Sequence, residues 1–112
     1  MCIRIFIFQI FLIFPFAISA NSETVEVEIF KSAFFPAVVE VKKGDTVKWV
    51  NKEEVLHTVT SGKSPIHDDK FNASFLVKEY EVKIDETPGV IDYFCAIHNA
   101  TMRGAIIVVE KK

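Results

Sequence analysis

Near the C-terminus, Cys95-Ala96-Ile97-His98-Asn99-Ala100-Thr101-Met102 places a thiol, an imidazole and a thioether within eight residues. Thiolate and thioether are soft ligands and imidazole is borderline, a combination that suits thiophilic metals far better than calcium or magnesium. Two imidazoles and one thiolate in a trigonal set, with a weak axial Met, form a copper electron-transfer geometry. The loop supplies one histidine, so a second must come from elsewhere. His57, in the β-branched run Val55-Leu56-His57-Thr58-Val59-Thr60, is the candidate. The predicted ligand set is therefore His57, Cys95, His98 and Met102, holding one mononuclear copper. The third histidine, His67, stands beside Asp68 and Asp69 in an irregular stretch and reads as a solvated side chain.

A clip of this kind needs two strands to hold it. Val90-Ile91-Asp92-Tyr93-Phe94 precedes it and Ala105-Ile106-Ile107-Val108-Val109 follows it, both β-branched or aromatic. Upstream, Thr24 to Ile29 alternates polar and apolar residues, as a half-buried strand does. Ser32 to Ala37 interrupts with an aromatic pair and Pro36, and Val38 to Val41 resumes strand character. After the Lys43-Gly44-Asp45 turn signal, Thr46 to Asn51 alternates again with Val47 and Trp49 on one face. Ser61 to Asn72 shows no period and contains Gly62 and Pro65, so it reads as a loop with room for one helical turn. Ser74 to Ile84 alternates with an irregularity near Lys78-Glu79, and Asp85 to Gly89 is a turn. With no helical stripe and short strands at regular spacing, the expectation is an all-β fold, an antiparallel β-sandwich of about seven to eight strands.

The first 20 residues carry one charge, Arg4, then an apolar run from Ile5 to Phe14, and close on Ala17, Ser19 and Ala20. That is the pattern of a secretory signal peptide, cut after Ser19 or Ala20, and the run is short of the roughly 20 residues that span a bilayer. Residues 21–112 are then one small domain. With Arg4 removed, twelve basic residues face fifteen acidic ones, a net charge of −3. This mild and dispersed charge argues against nucleic-acid binding. Cys2 leaves with the signal peptide, and a single cysteine in an exported domain calls for a reason other than pairing. Ligation of a metal is that reason.

The chain resembles the small type 1 copper proteins of the plastocyanin, pseudoazurin and amicyanin group, the cupredoxins. Phe35-Pro36, Val41 through Asn51 and Leu56-His57-Thr58-Val59-Thr60-Ser61-Gly62 carry the likeness in the first half. Pro88-Gly89, Tyr93-Phe94-Cys95-Ala96-Ile97-His98 and Met102-Arg103-Gly104 carry it in the second. The ligand loop runs C-x₂-H-x₃-M, between the amicyanin-like and plastocyanin spacings, and Asn99 stands where the family often has proline. The resemblance implies a Greek-key cupredoxin sandwich and a periplasmic or otherwise extracytoplasmic electron carrier rather than an enzyme. It implies transient redox partners docking near His98, with Ile97 and Ala100 as local apolar contacts. It also implies a monomer without a membrane span after cleavage. Asn51 or the backbone beside His57 is expected to bond the Cys95 sulfur. The acidic pairs Glu53-Glu54 and Asp68-Asp69 read as solvated surface, with steering of a basic partner as the other option. The competing function is a copper-binding or delivery module without redox turnover. Asn72-Ala73-Ser74 and Asn99-Ala100-Thr101 match the glycosylation pattern. In a prokaryotic exported protein, the simpler reading, neither is modified.

Overall fold

A computed structural model of the chain describes residues 22–76, 78–98 and 100–110. The signal-peptide segment lies outside them. The described chain forms nine strands: β1 Thr24–Phe30, β2 Ala33–Phe35, β3 Val38–Lys42, β4 Thr46–Asn51, β5 His57–Lys63, β6 Ile66–Leu76, β7 Glu79–Lys83, β8 Gly89–Phe94 and β9 Arg103–Val109. They make two sheets, ordered β2-β1-β4-β7 and β3-β9-β8-β5-β6.

Alternation decides which faces meet. Val27 and Ile29 of β1, Val47 and Trp49 of β4, and Val39 and Val41 of β3 point inward. Ile91 and Tyr93 of β8 and Ile106 and Val108 of β9 face them across the core. The intervening Glu26, Glu28, Lys42 and Glu40 stay in solvent. Aromatic rings lock the centre, with Trp49 edge-on to Tyr93 at 5.2 Å and Phe34 edge-on to Tyr93 at 4.7 Å between centroids. These are the offset and edge arrangements that ring quadrupoles favour.

The sandwich expectation holds, with three refinements. Two pairings, β1 with β4 and β3 with β9, are parallel. Ala33–Phe35 pairs back on β1 and adds a ninth strand, where the sequence showed only an interruption. The irregularity at Lys78-Glu79 falls where the chain leaves one sheet for the other, between β6 and β7.

The loop expected from Ser61 to Asn72 is instead a hairpin. β5 continues to Lys63, and β6 starts at Ile66 and pairs with it through two register shifts. Those shifts break the period-two pattern that would have revealed the strands. Buried side-chain bonds replace regular pairing there: the Ser61 hydroxyl accepts from the Phe71 N–H at 2.8 Å and donates to Asp68 Oδ1 at 2.6 Å.

Candidate metal centre

The ligand candidates gather at one end of the sandwich because β5, β8 and β9 are neighbours in one sheet. β8 and β9 pair with Phe94 opposite Arg103, so the loop from Cys95 to Met102 is a closed connection between adjacent strands. The Cys95 N–H donates to the Met102 carbonyl at 3.0 Å, and the Met102 N–H donates to the His98 carbonyl at 2.9 Å. β5 lies on the other side of β8, with Thr60 opposite Phe94. Continuing that register outward brings Val59 opposite Cys95 and Thr58 opposite Ala96, so His57 lies two positions from Cys95 along the diagonal of the same face.

His57 and Cys95 are fully buried, and His98 is half-buried. Cys95 Sγ lies 3.8 Å from His57 Nδ1 and 3.6 Å from His98 Nδ1. All three ligand atoms fall within 4.8 Å of one another, and no other such group of three or more exists among the described residues. Metal bonds of about 2.3 Å to thiolate and about 2.0–2.1 Å to imidazole, the lengths seen for zinc, fit this spacing. At angles between tetrahedral and trigonal, they require sulfur–nitrogen separations of about 3.6–3.8 Å. Both sulfur–nitrogen distances are therefore those that ligands of a single ion would have. Met102 is fully buried at the end of the same loop. His67 is not part of the cluster; its ring is 66% exposed and pairs with Asp69 at 2.9 Å.

Two contacts orient the ligands, and the first was not legible in the sequence. His57 Nε2 lies 2.7 Å from Glu53 Oε1, so the imidazole donates there and leaves Nδ1 free for a metal. The same carboxylate accepts the N–H of Lys31 at 2.9 Å and of Ser32 at 3.0 Å. Those two residues form the two-residue turn between β1 and β2, both at φ 53°. Left-handed backbone costs a non-glycine residue about 1–2 kcal/mol, and the carboxylate supports both amides. The Ser32 amide first, and then the His57 ring, hold the Glu53 carboxyl below its ordinary pKa. Glu53 thus joins the β1–β2 turn to a ligand and is not free acidic surface. Asp68 and Asp69 do stay exposed, as expected of solvated surface, while bonding Ser61 and Lys70 and His67 respectively.

The second contact is at sulfur. The Thr58 N–H donates to Cys95 Sγ at 3.3 Å, as expected for the backbone beside His57. Asn51 does not supply this bond. Its Nδ2 donates to the Val55 carbonyl at 2.9 Å and its Oδ1 accepts from the Glu53 N–H at 3.0 Å, bonds that shape the β4–β5 connection.

Residues 22–109 match the family model described as copper binding proteins, plastocyanin/azurin family. The chain belongs to that family. Among similar proteins, an amicyanin from Paracoccus versutus is 35% identical over 94 residues, covering 82% of this chain and 70% of that protein. A chloroplastic plastocyanin from Tetradesmus obliquus is 34% identical over 108 residues, covering 85% and 72%. A solved copper(I) form of an amicyanin variant superposes with a TM-score of 0.66 at 26% identity, covering 82% of this chain and 86% of that one. Copper is accordingly the cofactor of this family member, and the donor set fits it. A soft thiolate with two imidazoles and a nearby thioether is what copper accepts in both oxidation states.

Proposed function

We propose that the chain is an exported electron carrier that passes single electrons at a copper held by His57, Cys95, His98 and Met102. Copper supplies the Cu(II)/Cu(I) couple. The two sulfur–nitrogen distances, those of ligands to one ion, carry this reading, because a site formed before the metal arrives has little to rearrange when its charge changes. Glu53 fixes the His57 ring through Nε2. The Thr58 amide withdraws charge from the Cys95 thiolate, and Met102 offers its thioether as the distant fourth ligand.

His98 is the ligand nearest solvent, and Ile97, 48% exposed, stands beside it. Leu56 and Val55, next to His57 in sequence, are also exposed apolar side chains. With Ala100 they form the surface on which we place brief docking of redox partners, with electrons crossing the His98 ring edge. Small, weak interfaces suit a carrier that must depart after each transfer. Among the described residues no helix is long and apolar enough to cross a membrane. Export rests on the apolar leader of residues 1–20, and the carrier then works outside the cytoplasm.

Voltammetry of the copper-loaded chain, followed by incubation with excess chelator, tests this. A carrier gives a reversible one-electron wave and keeps its copper. Loss of copper to the chelator without a reversible wave would make the chain a copper-delivery module.

A further inference from the structure

The buried polar side chains of β5 form a hydrogen-bond chain whose direction is fixed from one end. The Ala96 N–H, next to Cys95, donates to Thr58 Oγ1 at 2.7 Å. Thr58 Oγ1 lies 3.0 Å from Thr60 Oγ1, and Thr60 Oγ1 lies 2.8 Å from Asn72 Oδ1. Asn72 Nδ2 then donates to Ser74 Oγ at 3.0 Å. The Asn72 carbonyl oxygen can only accept, so the Thr60 hydroxyl spends its one proton there. Thr60 can then only accept from Thr58, and Thr58 gives it its own proton while a lone pair receives the Ala96 N–H.

We propose that Thr60, buried in β5 and anchored by Asn72, an exposed residue of the edge strand β6, is a remote positioning residue for the Cys95 loop. Thr58 makes two bonds to that loop, through its N–H to Cys95 Sγ and through its hydroxyl to Ala96. The hydroxyl keeps its orientation only while Thr60 accepts from it, and Thr60 is in turn oriented by Asn72. Both threonines are buried, at 6% exposure, so a hydroxyl deprived of its partner has few alternatives. Asn72 itself borders a surface groove of about 250 Å³ shared with Thr58, Thr60 and Ala96. Water in that groove is able to stand in for a lost Asn72 side chain. The middle of the chain is therefore its sensitive point.

The inference rests on the copper reading only in its second measurement. The first uses the copper-free chain and follows exchange of the Ala96 amide proton by NMR in wild type, Thr60→Val, Thr60→Ser and Asn72→Ala. Thr60→Val, which keeps the shape and removes the hydroxyl, is expected to speed exchange by about threefold or more. Thr60→Ser keeps the wild-type rate, and Asn72→Ala falls between. The second measurement is the copper reduction potential. A looser Thr58 clamp weakens the N–H bond to sulfur, so Thr60→Val lowers the potential and Thr60→Ser restores it. Equal Ala96 exchange in wild type and Thr60→Val overturns the proposal, as does faster exchange with an unchanged potential. A wild-type chain that forms no copper–thiolate band defeats the copper reading alone, and Ala96 exchange then decides the chain's role by itself.

Discussion

Gly104 is the position at which one methyl group should disturb the base of the ligand loop. It lies opposite Tyr93 in the β8–β9 ladder, two residues beyond Met102. A Cβ built there meets Tyr93 Cζ at 2.4 Å, Oη at 2.5 Å and Cε1 at 2.8 Å. Carbon atoms rest comfortably at about 3.5–4.0 Å, so the ring would have to retreat by about 1 Å. That retreat is opposed on the core side, where Tyr93, 1% exposed, packs against Phe34 and Trp49. Overfilling a packed core costs about 1–3 kcal/mol, which the Gly104→Ala chain should lose in a chemical-denaturation series on the copper-free protein. In a thermal scan the loss is about 4–8 °C for each kcal/mol in a domain of this size. Pairing the change with Tyr93→Leu, which deletes the three crowded atoms, separates steric conflict from a backbone effect. The double variant should lose clearly less than the sum of the singles. A Gly104→Ala chain within about 0.5 kcal/mol of wild type, or a strictly additive double variant, would refute the packing argument.

Three further outcomes follow from single side chains and their partners. Burial pushes the Tyr93 phenol up to about 12, and neither its hydroxyl nor the nearby Trp49 indole N–H makes a hydrogen bond of ordinary geometry. Because the folded value is raised, its contribution is complete below about pH 10 and lost as pH rises towards 12. Denaturation series at the two pH values should show wild type losing about 2 kcal/mol more than Tyr93→Phe; equal losses would count against that burial. Removing the carboxylate that orients His57, by Glu53→Ala, should weaken copper retention by about ten- to a hundredfold, read by competition with a chelator; unchanged retention would show that the ring needs no such partner. Ser61→Ala leaves the Phe71 N–H without its acceptor and should cost about 1–3 kcal/mol in a denaturant midpoint, while a neutral result would mean that the β5–β6 hairpin relaxes around it.

The parts of this protein legible in its sequence are those governed by local pattern. Val27, Ile29, Val47 and Trp49 sit on period-two stripes, and the structure buries all four. Cys95, His98 and Met102 are close in sequence, so their gathering needed only a strand-to-strand connection. His57 was reached by chemical need, since the loop lacked one imidazole. Contacts that depend on register were invisible: Glu53 reaches His57 and the Lys31-Ser32 turn at once, and nothing in Lys52-Glu53-Glu54 distinguishes that carboxylate from a solvated one. The β5–β6 hairpin was missed because its register shifts erase the alternation and because Thr58, Thr60 and Ser61 are polar yet buried. Of the two groups expected at the sulfur, the backbone beside His57 supplies the bond, through the Thr58 N–H, while the β4–β5 connection takes the Asn51 amide for the Val55 carbonyl.

Everything proposed for this site requires a bond between copper and the Cys95 thiolate. The visible absorption spectrum of the mature chain with one equivalent of copper(II), recorded beside a Cys95→Ser control, tests that bond. An intense blue or green band is expected that is absent from the control and bleaches reversibly on reduction. A pale solution, or a band that survives Cys95→Ser, would contradict it.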